Sequence, residues 1–283
     1  MRALAILGPN ASAREALAFD SSRCKVSVWD QSEEFAADAA LVFGGDGTVH
    51  RHLPALSRAA IPVLVVPHGS GNDFARALGI VNRSQAGVTW RRFCSGFGVV
   101  RTIDLGVIRT RDSETLFACV ASAGLDAEAN RRANKLPRWL RARGGYLLAG
   151  LRSILSFRPH RFGIRVEGCG GAAPVAIADP GLLVACANTP FYGDGLRIAP
   201  EALLDDGLLD VCFVAAISRP KILWVLRKLI AGTHTRLPEV QYFKTKSVRL
   251  EPESPLPVFA DGEYVCDTPV DVSVREKALR VIT

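Results

Sequence analysis

The feature that most constrains the fold of this sequence is an unbroken apolar run at residues 61–66 (IPVLVV), which is rich in β-branched residues. A strand without polar residues is typical of a parallel sheet that is covered by helices on both faces. Residues 39–43 form a second such run, and each run is followed by a glycine-rich turn and a segment that can form a helix. Repetition of strand, glycine turn and helix predicts a parallel α/β sheet. The predicted elements are strands at 2–7, 25–29, 39–43 and 61–66, and helices at 48–60 and 72–78.

From about residue 104 the sequence changes to short strand-like runs, which predict a mainly antiparallel β domain. We therefore expect an α/β domain at residues 1–103 and a β-rich domain at residues 104–283, whose last strand is free to return to the first domain. The predicted strands of the second domain are 105–110, 116–121, 162–167, 182–187, 208–214, 247–250, 257–260 and 270–274, and its helices are 128–155 and 220–229.

The composition limits the classes of protein to which this chain can belong. The chain has 283 residues, 48% of them hydrophobic, and none of its apolar runs approaches the ~20 residues that span a bilayer. Residues 3–7 are too short for the core of a leader peptide, so a cytoplasmic protein is expected. The seven cysteines show neither CxxC pairs nor a Cys/His metal spacing, which favours reduced thiols and argues against zinc.

Two glycine-rich loops follow the apolar strands, GGDGT at residues 44–48 and PHGSGND at residues 67–73. Glycines let backbone amides approach an anion, and the hydroxyls of Thr48 and Ser70 can donate to its oxygens. A carboxylate beside a phosphate needs a cation, so Asp46 and Asp73 indicate Mg²⁺-nucleotide chemistry. The alternative is plain turn chemistry, with Thr48 and Asn72 as helix caps. The GxxxxGK[ST] and GxGxxG phosphate motifs are absent.

The loops and several later motifs resemble the diacylglycerol kinase catalytic-domain family, the lipid kinases that include sphingosine and ceramide kinases. The motifs are GGDGT, PHGSGNDFARALGI at 67–80, TIDLG at 102–106, ANTPFYGDG at 187–195, IAP at 198–200, DDGLLD at 205–210 and DGE at 261–263. NAD kinases share GGDGT, which therefore identifies the superfamily alone. The later motifs favour the lipid kinase branch.

The resemblance implies an ATP-dependent kinase that phosphorylates a hydroxyl of a diacylglycerol- or sphingoid-like lipid, with ATP and Mg²⁺ as cofactors. The first domain would bind the nucleotide and the second the lipid. An NAD kinase-like enzyme and a nucleotide-binding pseudo-kinase stay open as alternatives. The pseudo-kinase stays open because the family commonly has Asn-Glu where this chain has His50 and Arg51.

The resemblance also implies roles for individual residues. Glu263 would be the base for the substrate hydroxyl, with Asp46 and Asp261 as further catalytic carboxylates. A structural Mg²⁺ would be held by the Asp206 carboxylate and the carbonyls of Leu203 and Leu208. The implied nucleotide-binding residues are Gly44, Gly45, Asp46, Gly47, Thr48, Val49, His50, Arg51, Gly69, Ser70, Asn72, Asp73 and Asp104.

The positive charge is concentrated in one segment. The chain carries a formal net charge of +7, and residues 128–165 contain ten Lys or Arg and a single acid, Glu128. Arginines beside Trp139 and leucines suit an anionic membrane interface, so peripheral contact with the inner face of the membrane through residues 131–165 is expected. The alternative is a solvated helix that packs on the β domain. A nucleic-acid partner is not expected, because aromatic residues do not alternate with the basic ones on a strand. The sequence leaves the oligomeric state open and allows a homodimer.

Overall fold

The structure is a computed structural model, which describes residues 1–30, 36–125, 158–167 and 174–283. The chain forms two compact units, Met1–Leu105 with Arg275–Thr283, and Gly106–Val274. The division falls inside two strands, β5 (Val100–Arg109) and β17 (Val270–Ile282).

The first unit is built on a parallel sheet. Its strands are β1 (Arg2–Leu7), β2 (Lys25–Val28), β3 (Ala39–Gly44) and β4 (Val63–Pro67). They lie in the order β4-β3-β1-β2, and the end of β17 adds beside β4, where Val281 is paired with Val63. Every residue of β3 and β4 is buried, as the apolar runs predict for a sheet covered on both faces.

The described part of the first unit contains the helices α1 (Ala13–Leu17), α2 (Asp46–Ala59), α3 (Asp73–Ala77) and α4 (Arg83–Cys94). Helix α2 buries Val49, Leu53 and Leu56, whose spacing places them on one face of the helix. The residue after the helix, Ala60, is its C-cap and adopts a left-handed conformation with φ of 52°. Helices α2 and α3 follow β3 and β4 directly, so both begin at the carboxyl end of the sheet.

The second unit is mainly antiparallel. Its strands, besides parts of β5 and β17, are β6 (Glu114–Phe117), β7 (Val120–Gly124), β8 (His160–Arg161), β9 (Ile164–Val166), β10 (Val175–Ile177), β11 (Pro180–Ala187), β12 (Leu209–Ala215), β13 (Val240–Thr245), β14 (Ser247–Leu250), β15 (Pro257–Ala260) and β16 (Glu263–Asp267). One sheet has the strand order β13-β12-β11-β7-β15-β16, and β8 pairs with β11. Another runs β10-β9-β14 to the first part of β17, and β5 forms a hairpin with β6. Side chains of both sheets share one core, which includes Phe117, Ile164, Val248, Val184, Phe213 and Val258. Helix α5 (Arg219–Ile230) and a 3₁₀ turn (His234–Arg236) connect β12 to β13.

This architecture confirms the predicted fold class, and it corrects several elements. The predicted strand at 116–121 is two strands, β6 and β7. The amides of Ala118, Cys119 and Val120 donate to the Asp261 carboxylate, which interrupts the hydrogen bonding of a single continuous strand. The predicted strand at 270–274 extends to Ile282. Strands β8, β10, β13 and β16 were not predicted. The predicted helix at 128–155 falls entirely within residues 126–157, which lie outside the described residues.

The prediction of reduced cysteines is wrong for one pair. Cys24 precedes β2 and Cys94 ends α4, and the two form a disulfide with their Cα atoms 6.0 Å apart. They are 70 residues apart in sequence, so no local spacing revealed the pair. Cys119, Cys186, Cys212 and Cys266 are reduced.

Candidate active site

The two glycine-rich loops of the first unit meet backbone to backbone. A Cβ atom added to Gly69 would lie 2.6 Å from the Cα of Gly45, and one added to Gly45 would lie 2.8 Å from the Cα of Gly69. A Cβ atom does not approach a non-bonded backbone carbon so closely, so this contact requires glycine on both sides. The loops also share a hydrogen bond of 3.0 Å from the His68 amide to the Gly44 carbonyl.

Side-chain amide and carboxylate groups fix the conformation of these loops. The Asn72 side chain accepts the Gly69 amide hydrogen at 2.8 Å and donates to the Gly69 carbonyl at 2.7 Å. Asn72 itself has a left-handed backbone, with φ of 54°, which Asn tolerates better than most residues. It therefore closes the loop that it belongs to, and its side chain makes no capping bond to α3.

Asp46 joins the first loop to the second. Its two carboxylate oxygens accept the amides of Asp73 and Phe74, both at 3.0 Å, at the start of α3. A carboxylate that accepts two amides at a helix start stabilises that helix end. The structure thus gives Asp46 a positioning role: it holds the second loop in place from the first residue of α2.

The start of α2 has the character of an anion site. Gly45 precedes the helix and offers no side-chain cap. The first amides of a helix have no intrahelical acceptors, and the helix dipole adds positive potential there. Thr48 lies in this first turn, half-buried against Gly8 and Gly44, where a Cβ added to Gly8 would meet its hydroxyl at 2.6 Å. A 14-residue helix whose N-cap residue is glycine is therefore suited to binding phosphate.

The other expected nucleotide residues differ in exposure. Arg51 and Ser70 are exposed, and His50 and Gly47 are half-buried. The Val49 side chain is buried in the core, which leaves its backbone for any ligand contact.

Two expected acids are buried and engaged within the first unit. Asp73 forms an ion pair with Arg76, one turn along α3. Asp104, which is 2% exposed, accepts the Lys277 amide at 2.7 Å from the last part of β17. Both carboxylates thus organise the backbone or a neighbouring side chain.

Glu15 was missed by the sequence analysis. The Ser12 hydroxyl accepts the Glu15 amide, and the Glu15 carboxylate accepts the Ser12 amide, forming a capping box on α1. Glu15 also lies 3.3 Å from the His68 imidazole and 2.8 Å from the Arg83 guanidinium. Hydrogen bonds from Ser12 and then His68 lower the pKa of Glu15 to about 2. The SxxE spacing reveals the capping box, whereas the contact with His68 depends on the tertiary fold.

The Asp261–Glu263 motif lies in the second unit, between β15 and β16. Asp261 adopts a left-handed backbone and accepts the amides of Ala118 at 2.8 Å and Cys119 at 2.8 Å. Gly262 is also left-handed, with φ of 86°, and Glu263 begins β16 with an exposed side chain. Asp261 therefore anchors the turn that presents Glu263 to solvent.

The expected metal ligands lie in a loop before β12. Asp206 Oδ1 accepts the Leu208 amide at 3.1 Å, and Asp206 Oδ2 accepts a hydrogen bond from the Lys244 ammonium at 3.2 Å. Leu203 is exposed. Both oxygens of Asp206 are therefore engaged by groups of the chain, and a divalent cation at this carboxylate would have to displace Lys244. Among the described residues, no group of three or more His, Cys, Asp and Glu is placed to hold a metal ion. Lys244 thus occupies the place of a cation beside Asp206, and the metal role of Leu203, Asp206 and Leu208 stays a prediction.

Lys244 also contacts a second, buried carboxylate, which belongs to a hydrogen-bond network. Its ammonium lies 3.7 Å from Asp210 Oδ1 and donates to the Glu201 carbonyl at 3.2 Å. Asp210 is fully buried and accepts the Tyr242 hydroxyl at 2.6 Å. Burial raises the pKa of Asp210 to about 6, against the opposing effects of Tyr242 and Lys244. The sequence offered no signal for this network, because Tyr242 and Lys244 are contributed by a strand that was not predicted.

The described part of the basic segment is partly neutralised. Arg161 lies 3.7 Å from Glu253, and Arg165 lies 4.0 Å from Glu251. Residues 131–157, which carry most of the expected membrane surface, lie outside the described residues. No helix in the described part of the chain is long and apolar enough to cross a membrane.

Two family models match successive parts of the chain. Residues 21–108 match the model of the diacylglycerol kinase catalytic domain, and residues 119–283 match that of the YegS C-terminal NAD kinase beta sandwich-like domain.

Relatives with known names agree with these matches. The chain is 35% identical over 247 residues to the diacylglycerol kinase of Mycobacterium tuberculosis, covering 87% of this chain and 76% of that protein. It is 26% identical to the diacylglycerol kinase of Bacillus subtilis, covering 80% and 71%. A crystal structure of a diacylglycerol kinase from Bacillus anthracis has the same fold, with a TM-score of 0.68, 18% identity, and 99% and 96% of the two chains covered.

The chain belongs to the diacylglycerol kinase catalytic-domain family. The resemblance noted in the sequence is confirmed, and so is the expectation of a kinase of the lipid kinase class.

Proposed function

We propose that this protein transfers the terminal phosphoryl group of ATP to a hydroxyl of a diacylglycerol- or sphingoid-like lipid. The observation that carries the proposal is the contact of the two glycine loops at Gly45 and Gly69, at the carboxyl ends of β3 and β4. Parallel α/β sheets bind ligands at this edge. Family membership selects phosphoryl transfer as the chemistry.

The glycine loops would bind the phosphates. Phosphoryl transfer depends on positioning and charge neutralisation, which backbone amides at the start of α2 supply without moving. In this proposal residues 44–51 line the phosphates, the Ser70 hydroxyl donates to one of their oxygens, and Asp46 and Asn72 hold the loops in register. Asp73 and Asp104 would support the site through their buried contacts. Mg²⁺ bound with the nucleotide would neutralise phosphate charge.

Glu263 would act as the base. A primary hydroxyl becomes a competent nucleophile when a carboxylate accepts its proton during phosphoryl transfer. Glu263 is exposed at the first residue of β16, and Asp261 fixes the turn before it. Its side chain is therefore accessible for a proton transfer that a core carboxylate could not make.

The direct test is incubation with labelled ATP, Mg²⁺ and a total lipid extract, followed by identification of the labelled product. We expect Glu263→Gln to lower turnover on that lipid by about 100-fold or more while the thermal midpoint stays unchanged. Glu253→Gln is the matched control, because Glu253 is an exposed glutamate of the same unit that pairs with Arg161. Turnover near that of the wild type in Glu263→Gln would remove Glu263 from this role.

Two further measurements, incubation with ATP and NAD⁺ and titration with nucleotide, separate the alternatives. Formation of NADP⁺ from NAD⁺ would indicate an NAD kinase-like enzyme. Nucleotide binding without any labelled product would indicate a pseudo-kinase, in which His50 and Arg51 have altered the nucleotide pocket. We also expect Asp46→Asn to abolish most activity, because its single side-chain oxygen can accept only one of the amides of Asp73 and Phe74.

Access to the lipid would involve peripheral membrane contact through the basic segment 131–165. The test is sedimentation with anionic liposomes after Arg138, Arg141 and Arg143 are each changed to Glu. Undiminished binding of that variant would exclude this segment as the contact.

A further inference from the structure

Helix α5 has two apolar faces. One face is buried in the second unit through Ile222, Val225 and Leu229, at the spacing of a helical stripe. The other side exposes three large apolar residues, namely Leu223 (48% exposed), Trp224 (44%) and Ile230 (59%). Leu223 and Ile230 are seven positions apart and therefore lie on the same side, two turns from each other. An exposed apolar cluster of this kind marks an interaction surface.

The charge of the same helix is entirely positive. Its sequence RPKILWVLRKLI contains four Lys or Arg residues and no acid. Lys221 is paired with Glu239, whereas Arg219 and Arg227 are exposed beside the apolar residues. The Lys228 ammonium lies 5.6 Å from the centre of the Trp224 ring, so this cation lies directly beside an exposed aromatic ring.

Further cations lie at the end of the helix. Arg197 approaches Gly232, where a Cβ atom would lie 3.1 Å from its Cδ, and its guanidinium lies 5.8 Å from the Phe191 ring. Arg236 is exposed on the 3₁₀ turn that follows. The apolar cluster therefore has a basic border, which fits an anionic partner.

We propose that the exposed face of α5 docks on the surface of an anionic lipid bilayer. A Trp and aliphatic residues on one face with Lys and Arg around them are typical of helices that lie in the membrane interface. The apolar residues would enter the acyl boundary while the cations meet lipid phosphates. At about 1.5 Å per residue the 12-residue helix is ~18 Å long, so it can lie flat on the bilayer. This inference rests on the proposed function, because the substrate of a lipid kinase lies in a membrane.

The test is binding of the full chain, without nucleotide, to vesicles of phosphatidylglycerol and phosphatidylcholine and to vesicles of phosphatidylcholine alone. We expect tighter binding to the anionic vesicles. Each cation near such a surface contributes roughly fivefold in affinity, so Arg227→Glu with Lys228→Glu should weaken binding by at least about 25-fold. Trp224→Ser with Ile230→Ser should weaken binding by about tenfold or more on both kinds of vesicle, since the apolar contact is lost.

Matched controls separate this surface from general effects. Arg58→Glu with Arg280→Glu makes the same change in net charge at two exposed arginines of the first unit, which hydrogen-bond backbone carbonyls. Val88→Ser with Phe97→Ser removes exposed apolar side chains of that unit. Both controls should bind like the wild type.

Wild-type affinity in the α5 variants, or an equal loss in the controls, would overturn the proposal. So would a change from dimer to monomer in the α5 variants by light scattering, because this face would then be a subunit interface. Phosphorylation of a short-chain diacylglycerol and of a short-chain sphingoid base, each dissolved as monomers, tests the catalytic proposal separately. We expect the α5 variants to keep that activity, and an inactive wild type that still binds vesicles would contradict the proposed function alone.

Discussion

At the scale of single residues, Gly45 and Gly69 are required by their mutual contact. We expect Gly69→Ala to separate the two loops, because its Cβ would lie 2.6 Å from the Cα of Gly45. Nucleotide affinity should fall by about tenfold or more, as expected when positioned groups are displaced by about 1 Å. Calorimetric titration with a non-hydrolysable ATP analogue measures the effect.

Gly87→Ala is the control for that substitution. Gly87 lies inside α4, and its added Cβ would meet Arg91 at an ordinary 3.5 Å. Alanine is the better helix former, so the control should keep its nucleotide affinity and gain about 0.5–1 kcal/mol of stability. Equal affinities in the two variants would show that the contact at Gly69 does not shape the nucleotide site.

Glu15 gives the protein a defined pH dependence. Its pKa is about 2 in the folded protein and 4.5 in the reference state, with the Ser12 hydrogen bond as the largest cause. A lowered pKa means that Glu15 stabilises the fold fully above about pH 4.5, and that this contribution is lost as the pH falls toward 2. Glu15→Gln should therefore be less stable than the wild type at pH 6, and the difference should shrink below pH 4.5. Urea unfolding at pH 6, 4 and 3 measures it, and a difference that is constant with pH would contradict the assignment.

At the scale of elements, the Lys244 ammonium on β13 neutralises carboxylates at the start of β12. Lys244 bridges Asp206 and the buried Asp210, so Lys244→Met would leave two carboxylates without it. We expect a loss of about 1–3 kcal/mol, below the usual cost of breaking a buried pair because Lys244 is 33% exposed. Added Mg²⁺ should raise the thermal midpoint of this variant, since the vacated carboxylates can then bind it, and EDTA should leave the wild type unchanged.

The control for Lys244 is Lys221→Met, which removes from α5 an ammonium that pairs with Glu239. Its thermal midpoint should not respond to Mg²⁺. A wild-type midpoint that falls in EDTA and recovers with Mg²⁺ would instead support the metal site at Asp206 that the family resemblance implies.

The pattern of apolar residues correctly predicted the two strands of the first unit whose residues are all buried. The runs at 39–43 and 61–66 are apolar throughout and became β3 and β4 to within two residues. The pattern failed at residues 118 and 119, because the acceptor that interrupts the strand is Asp261, more than 140 residues away. It also missed β13, whose half-buried residues alternate weakly between apolar and polar.

At the scale of the whole molecule, motifs located acids in the chain without showing what they contact. Asp46, Asp104 and Asp261 were expected near the chemistry, and each accepts backbone amides. A motif shows which residue types are present, whereas the direction of a carboxylate depends on neighbours that are distant in sequence. The role of Lys244 was hidden for the same reason, since its partners lie more than 30 residues away.

The C-terminal segment completes the first unit, and its removal should therefore unfold that unit. Residues 275–283 bring Leu279, Val281 and Ile282 into the core, each at most 1% exposed, and the Ala278 carbonyl accepts the Ser57 hydroxyl at 2.9 Å. Burying three such side chains contributes about 5–9 kcal/mol, which is comparable to the whole stability of a typical domain. Deletion of residues 275–283 should abolish hydrogen-exchange protection in β3 and β4. Arg280→Ala, which changes an exposed residue of the same segment, should keep that protection. A truncated chain with wild-type protection in β4 would show that the first unit folds without this strand.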